Sequence, residues 1–270
     1  MSSRPAPGGL PTRRRLSEAM KILVTFALGN EFAAWRKLRS FRQGFGAAGA
    51  VYEARIGDAA VRVLLTGAGE VHARRTVRQA LLDATDVLIV SGLAGSLKLR
   101  HRPGDVLVAA AVREASGIQV LRSEPALVET AAVFGARRVP MFVTAKQVAV
   151  SADEKKRLSF SGDAVDMESF AGMAEAAAQN VPGVAIRAVS DAADEDLPLD
   201  FDRVFDERGG VQFSRVLGRL ARAPHRLPGL LRLGRNSRRA AERLAAFLDV
   251  YVMHLNKRSN AESLTEAAAV

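Results

Sequence analysis

Two acidic stretches in this chain carry the residue types that bond cleavage requires. In Val165-Asp166-Met167-Glu168-Ser169-Phe170-Ala171-Gly172-Met173-Ala174, a short apolar run delivers an acidic residue to the start of an Ala-rich helix. About twenty residues on, the apolar run 183–189 delivers Ser190-Asp191 at its own carboxyl end. Two carboxylates at neighbouring strand ends can act as an acid and binding pair on one ligand, because open α/β sheets hold ligands at that edge. The electrostatic alternative is that Glu168 complements the dipole of its helix and Asp191 caps the next segment. Spacing leaves both open.

The elements that must position these acids are legible as apolar runs. Residues 20–28 are continuous and β-branched, as in a central strand covered on both faces. They pass through Gly29-Asn30 into a predicted helix that begins with Glu31, whose charge would also suit a helix N-terminus. Residues 51–56 and 61–66 predict a hairpin around Gly57-Asp58, and Thr66-Gly67-Ala68-Gly69 opens a helix to about Leu82 whose start could attract an anion. Residues 86–90 predict a buried strand that ends in a Gly-rich loop, Ser91-Gly92-Leu93-Ala94-Gly95-Ser96-Leu97. A turn at Pro103-Gly104-Asp105 feeds a strand over 106–112, and 140–145 predicts another. Ser151-Ala152-Asp153-Glu154 is a capping box.

VDMES followed by RAVSDAAD resembles the nucleoside phosphorylase and nucleosidase superfamily, and most closely the branch of methylthioadenosine/S-adenosylhomocysteine nucleosidases. The resemblance runs from about Lys21 to Phe201 and resumes at the last helix. It implies a three-layer α/β/α sandwich with a mixed, twisted central sheet. It also implies roles: Met167 and Glu168 hold the ribose, Asp191 protonates the purine, and Glu31 activates the attacking water. Ser91 and Gly92 would meet the ribose or, in phosphorylases, phosphate; Leu93 stands where the family often has Ser. Val148 falls where an aromatic ring stacks on adenine, and Phe201 would wall the pocket for an apolar 5′ group. No cofactor or metal is implied. Phosphate stays open as a co-substrate, with Arg187, Gly67 and Gly92 as its candidate ligands. A homo-oligomer is expected from the family.

The 270 residues, 48% hydrophobic, suffice for one large α/β domain. Without cysteine there are no disulfides or thiolate metal sites, which fits a cytoplasmic protein. Residues 1–19, rich in Pro, Gly, Ser and Arg, predict a disordered leader. The catalytic domain is expected over 20–207 and 236–258, with a basic insertion at 208–235 and a loose tail at 259–270. Of the net charge of +10, residues 211–258 hold +9, eleven Lys and Arg against two acids. Within the insertion Phe213, Val216, Leu217 and Leu220 oppose Arg215, Arg219 and Arg222 on a helix, and Leu227, Leu230, Leu231 and Leu233 follow among further arginines. Such a segment suits an anionic membrane surface; packing on the chain's own core and a nonspecific nucleic-acid patch are the alternatives. Specific nucleic-acid binding is not expected, since aromatic interleaving is sparse. Asn236 or Ser237 is expected to start the final helix, with Ala240, Leu244, Phe247, Leu248, Tyr251 and Leu255 facing the core.

An apolar wall beside a basic amphipathic insertion resembles the hopanoid-associated phosphorylase branch, which is assigned removal of adenine from adenosylhopane. The expected activity is therefore N-glycosidic cleavage of an adenosine with an apolar 5′ substituent, at the inner membrane face. The alternatives are a soluble methylthioadenosine/S-adenosylhomocysteine nucleosidase and a noncatalytic nucleoside-binding protein.

Overall fold

The computed structural model describes residues 19–198 and 224–268. Its elements are β1 (Lys21–Phe26), α1 (Gly29–Leu38), β2 (Arg42–Gly46), β3 (Gly49–Ile56), β4 (Ala59–Leu65), α2 (Glu70–Ala80), β5 (Val87–Ser96), β6 (Val106–Glu114), β7 (Val120–Arg122), α3 (Pro125–Val133), β8 (Arg137–Thr144), α4 (Ala152–Leu158), β9 (Ala164–Asp166), α5 (Ser169–Ala178), β10 (Gly183–Asp191) and α6 (Leu227–Ala268). The strands form one mixed sheet in the order β10-β6-β8-β9-β5-β1-β4-β3-β2, with β7 beside β6 and β10 also paired to β5. That second pairing closes β5, β10, β6, β8 and β9 into a ring, from which β1, β4, β3 and β2 extend.

Strict alternation along the central strands builds two cores. Ile22, Val24 and Phe26 of β1, with Val87, Ile89, Val184, Ile186 and Ala188, pack with Trp35 of α1, Val128 of α3, and Leu248 and Tyr251 of α6. Leu23, Leu88, Val90, Ala185 and Val189 point the other way, into Val77 of α2 and Phe170 and Met173 of α5. Strands buried on both faces favour apolar residues at nearly every position, which makes these runs close to continuous. The result is the three-layer sandwich around a mixed sheet.

Three boundaries differ from the sequence expectation. The Gly-rich stretch 91–97 is largely strand: β5 runs to Ser96, because Ser91, Gly92, Leu93, Ala94 and Gly95 pair with β10 and Gly95 and Ser96 pair with β9. The final helix starts at Leu227, after a 3-10 turn at Pro224–Arg226, and passes through Asn236 without a break. Pro228 stands in its first turn, where a missing N–H costs nothing. The same helix continues past Ser259 to Ala268, where a loose tail was expected; that segment is rich in Ala and Glu, good helix formers. Its stripe from Ala240 to Leu255 is buried as the periodicity predicts. The leader up to residue 18 and residues 199–223, including Phe201 and most of the basic insertion, lie outside the described residues.

Candidate active site

β9 ends at Asp166 and α5 begins at Ser169, so Met167 and Glu168 form the corner between them. The helix start is satisfied by other residues. Asp166 Oδ1 accepts from the Ser169 N–H at 3.1 Å and from Thr144 Oγ1 at 2.8 Å, and Thr144 Oγ1 accepts from the Phe170 N–H at 2.9 Å. Glu168 makes no side-chain cap bond. Its Oε1 instead accepts from the Gly69 N–H at 2.8 Å, at the N-terminus of α2. The anion drawn to that glycine-rich helix start is thus a carboxylate of the chain itself.

Arg187, in the middle of β10, is 1% exposed. A guanidinium this deep must find partners, since an unpaired buried charge is prohibitively costly. Its Nε lies 2.9 Å from Asp166 Oδ2, Nη1 donates to Ser91 O at 3.2 Å, and Nη2 donates to Ser169 Oγ at 3.1 Å and faces Glu168 Oε2 at 3.5 Å. Gly92 makes room for it. A Cβ at that position would lie 2.4 Å from Arg187 Nη1 and 3.2 Å from Glu31 Oε2, and its φ of +147° is one that side chains rarely adopt.

Glu31 approaches the same guanidinium from α1. Its Oε2 accepts from the Ala27 and Leu28 N–H groups at 3.0 and 3.1 Å, which closes the helix start. Its Oε1 reaches across to β5 and accepts from the Leu93 N–H at 3.0 Å. Burial raises the pKa of Glu31 against the opposing pull of Arg187 and these three donors. Burial likewise pushes Glu168 up to about 7; Arg187 opposes the rise, and the charges of Asp166 and Glu31 add to it.

Asp191 stands at the far end of the same strand pair, opposite Gly95. The register shifts between Val189 and Asp191, so Ser190 is an extra residue that re-aims the strand end. Ser190 Oγ donates to Asp191 Oδ1 at 2.6 Å, and Asp191 Oδ2 lies 2.5 Å from Lys155 Nζ of α4. A Cβ on Gly95 would come within 3.0 Å of Asp191 Oδ2. From Gly92 to Gly95 is three strand residues, about 10 Å at about 3.3 Å each. One row of backbone therefore separates the Glu31–Arg187–Glu168 cluster from Asp191.

Glu31, Ser91, Gly92 and Glu168 accordingly meet around Arg187, with Asp191 farther along the row. Ser91 Oγ is buried and has no hydrogen-bond partner among the described residues. Met167 is half-buried next to Glu168, and Val148 is half-buried between β8 and α4. Asp166, Ser169 and Lys155 escaped the sequence reading. As a candidate phosphate ligand Arg187 offers no free donor group, since each of its nitrogens faces a group of the chain.

The phosphorylase superfamily model matches residues 21–222. Among solved structures, the fold is shared with the 5′-methylthioadenosine/S-adenosylhomocysteine nucleosidase of Helicobacter pylori at 18% identity, over 87% of this chain and 99% of that one, with a TM-score of 0.68. The futalosine hydrolase of Helicobacter pylori matches at 18% identity over 87% and 97%, with a TM-score of 0.68. The nucleosidase of Neisseria meningitidis, solved with methylthio-immucillin-A, matches at 20% identity over 87% and 99%, with a TM-score of 0.67. The matched span contains Glu31, Glu168, Arg187 and Asp191, and on it this chain belongs to the phosphorylase superfamily.

Proposed function

We propose that this chain is an enzyme that breaks the N-glycosidic bond of a 5′-substituted adenosine and releases adenine. The observation that carries the reading is the single row of backbone along β5 and β10 with two buried glutamates at one end and an aspartate at the other. Cleavage builds positive charge on the sugar and negative charge on the base, so acids are needed at both ends. Glu168 takes the ribose hydroxyls, with Met167 against the sugar face and Ser91 and Gly92 lining the floor. Glu31, its pKa raised by burial, accepts a proton from the attacking water. Asp191 donates to the purine, while Val148 covers the ring.

Water is the nucleophile. Arg187 is enclosed by Asp166 and Glu168 and approached by Glu31, and this acidic surround repels phosphate instead of binding it. The 5′ substituent is a lipid, as in adenosylhopane, which would become ribosylhopane. Exposed Leu227 and Leu231 among the arginines of the first turns of α6 support that choice, as does the contact of those turns with the segment after Asp191. The second reading, a methylthioadenosine/S-adenosylhomocysteine nucleosidase, is favoured by the shared fold of such enzymes.

Incubation with adenosylhopane and with methylthioadenosine, each with and without phosphate, decides among these. Adenine release from the lipid nucleoside, unaffected by phosphate, is expected. Release from methylthioadenosine alone would favour the second reading, strict dependence on phosphate would overturn hydrolysis, and no adenine from either would sink the enzyme.

A further inference from the structure

Lys155 is the one fully buried lysine among the described residues, at 0% exposure, and its position on α4 aims it at the base end of the site. Its ammonium donates to Ala192 O and Glu195 O, each at 2.8 Å, and forms an ion pair with Asp191 Oδ2 at 2.5 Å. The two hydrogen bonds fix the segment that follows β10, and the ion pair holds the acid. The flanking Glu154 is not available to the pair, because its carboxylate is turned back onto the Val150 and Ser151 N–H groups.

We propose that Lys155 is a positioning residue for the proton donor: it sets the orientation of Asp191 and stabilises the carboxylate left behind when Asp191 gives up its proton. The inference rests on the assignment of Asp191 as acid. In the step, the C1′–N9 bond breaks with its electron pair going to the purine, the Asp191 carboxyl proton passes to a ring nitrogen, and the resulting carboxylate stays paired with the Lys155 ammonium. An ammonium held against the carboxyl favours the charged product of the transfer.

The charged groups around the pair are few. Glu195 faces it with its backbone carbonyl, while its carboxylate is directed to the Ala192 N–H and to Arg232 of α6. On β5 the residue facing Asp191 is Gly95, and on β10 the next charge is Arg187 with its partners Asp166 and Glu168.

The test compares Lys155→Met and Lys155→Arg with the parent enzyme in kcat and KM for adenine release, with thermal unfolding as the check on folding. Lys155→Met should lower kcat by about tenfold or more with KM within about twofold of the parent, and Lys155→Arg, which keeps the charge, should restore kcat to within about threefold. A kcat loss of less than about tenfold in folded Lys155→Met, or a loss matched by a rise in KM, overturns the proposal. If Lys155→Met does not fold, Lys155→Gln takes its place with the same two outcomes. A parent enzyme that releases no adenine would instead remove the assignment on which the inference stands.

Discussion

Glu168 and Glu31 share one buried guanidinium, and what else each touches sets how they titrate. Glu168 accepts from a single backbone N–H and sits beside Asp166, so burial dominates and its pKa rises to about 7. Below about 7 it is protonated and loses the strong, charge-assisted acceptor that the proposed ribose contact needs. Activity through this group is thus gained as pH rises, and kcat/KM should show an acidic limb near pH 7. In Glu168→Gln the limb should leave that position, and kcat/KM should fall about 10- to 150-fold, equivalent to about 1.5–3 kcal/mol for a hydrogen bond to a charged group. A pH–rate profile with an unchanged limb would remove Glu168 from the ribose. That an acid belonged here was legible from VDMES, but its partner was not read. Arg187 interrupts the apolar run Val184-Ala185-Ile186-Arg187-Ala188-Val189, and a charge inside such a strand demands acids facing it. Lys155 gave no comparable signal, because it stands in the run Asp153-Glu154-Lys155-Lys156-Arg157, where any member could face water.

At the level of elements, β5 does the positioning. It pairs with β1 over 87–90, with β10 over 88–95 and with β9 at Gly95 and Ser96, and its two glycines are the places where side chains from other elements come down onto it. The central strands were legible because burial on both faces leaves an unbroken apolar run. The continuation of β5 was not, since Ser and Gly ordinarily mark loops and the pairing that overrides them comes from strands distant in sequence. β2, whose Arg42-Gln43-Gly44-Phe45-Gly46 has no strand pattern, exists because β3 offers it an edge. Gly92→Ala tests this role of β5. The new Cβ would lie 2.4 Å from Arg187 Nη1 on a backbone with φ of +147°, so either the arginine or the strand must move. Strain and overpacking together should cost about 2–4 kcal/mol, which lowers Tm by about 5–15 °C. Because the displaced arginine no longer aims Glu168, kcat/KM of the folded variant should also drop more than tenfold. Parent-like Tm and turnover would mean that Gly92 is dispensable and that Arg187 is held from elsewhere.

Across the whole molecule, the excess of positive charge and the site converge at the start of α6. Its first turns and the 3-10 turn before them rest on the segment after Asp191: Arg226 Nη1, in the 3-10 turn, donates to Pro198 O at 3.3 Å, Arg232 Nε lies 3.3 Å from Glu195 Oε1, and a Cβ on Gly229 would lie 3.3 Å from Pro198. The same turns expose Leu227 and Leu231 at 41% and 54%, beside exposed Arg226, Arg232 and Arg235. No helix among the described residues is long and apolar enough to cross a membrane, so contact with a bilayer here would be made from one side. A basic residue near an anionic surface contributes about 1 kcal/mol, so replacing two of them weakens binding by about 2 kcal/mol, roughly 30-fold. Arg226→Ser with Arg235→Ser should therefore lose flotation with vesicles containing phosphatidylserine, while turnover of methylthioadenosine in solution, if the enzyme accepts it, stays within twofold. Leu227→Ser with Leu231→Ser should weaken flotation at high salt, where screening has already removed most of the charge contribution. Flotation that survives both pairs, or that never occurs with the parent protein, would detach the site from any lipid surface and leave a soluble nucleoside as its substrate.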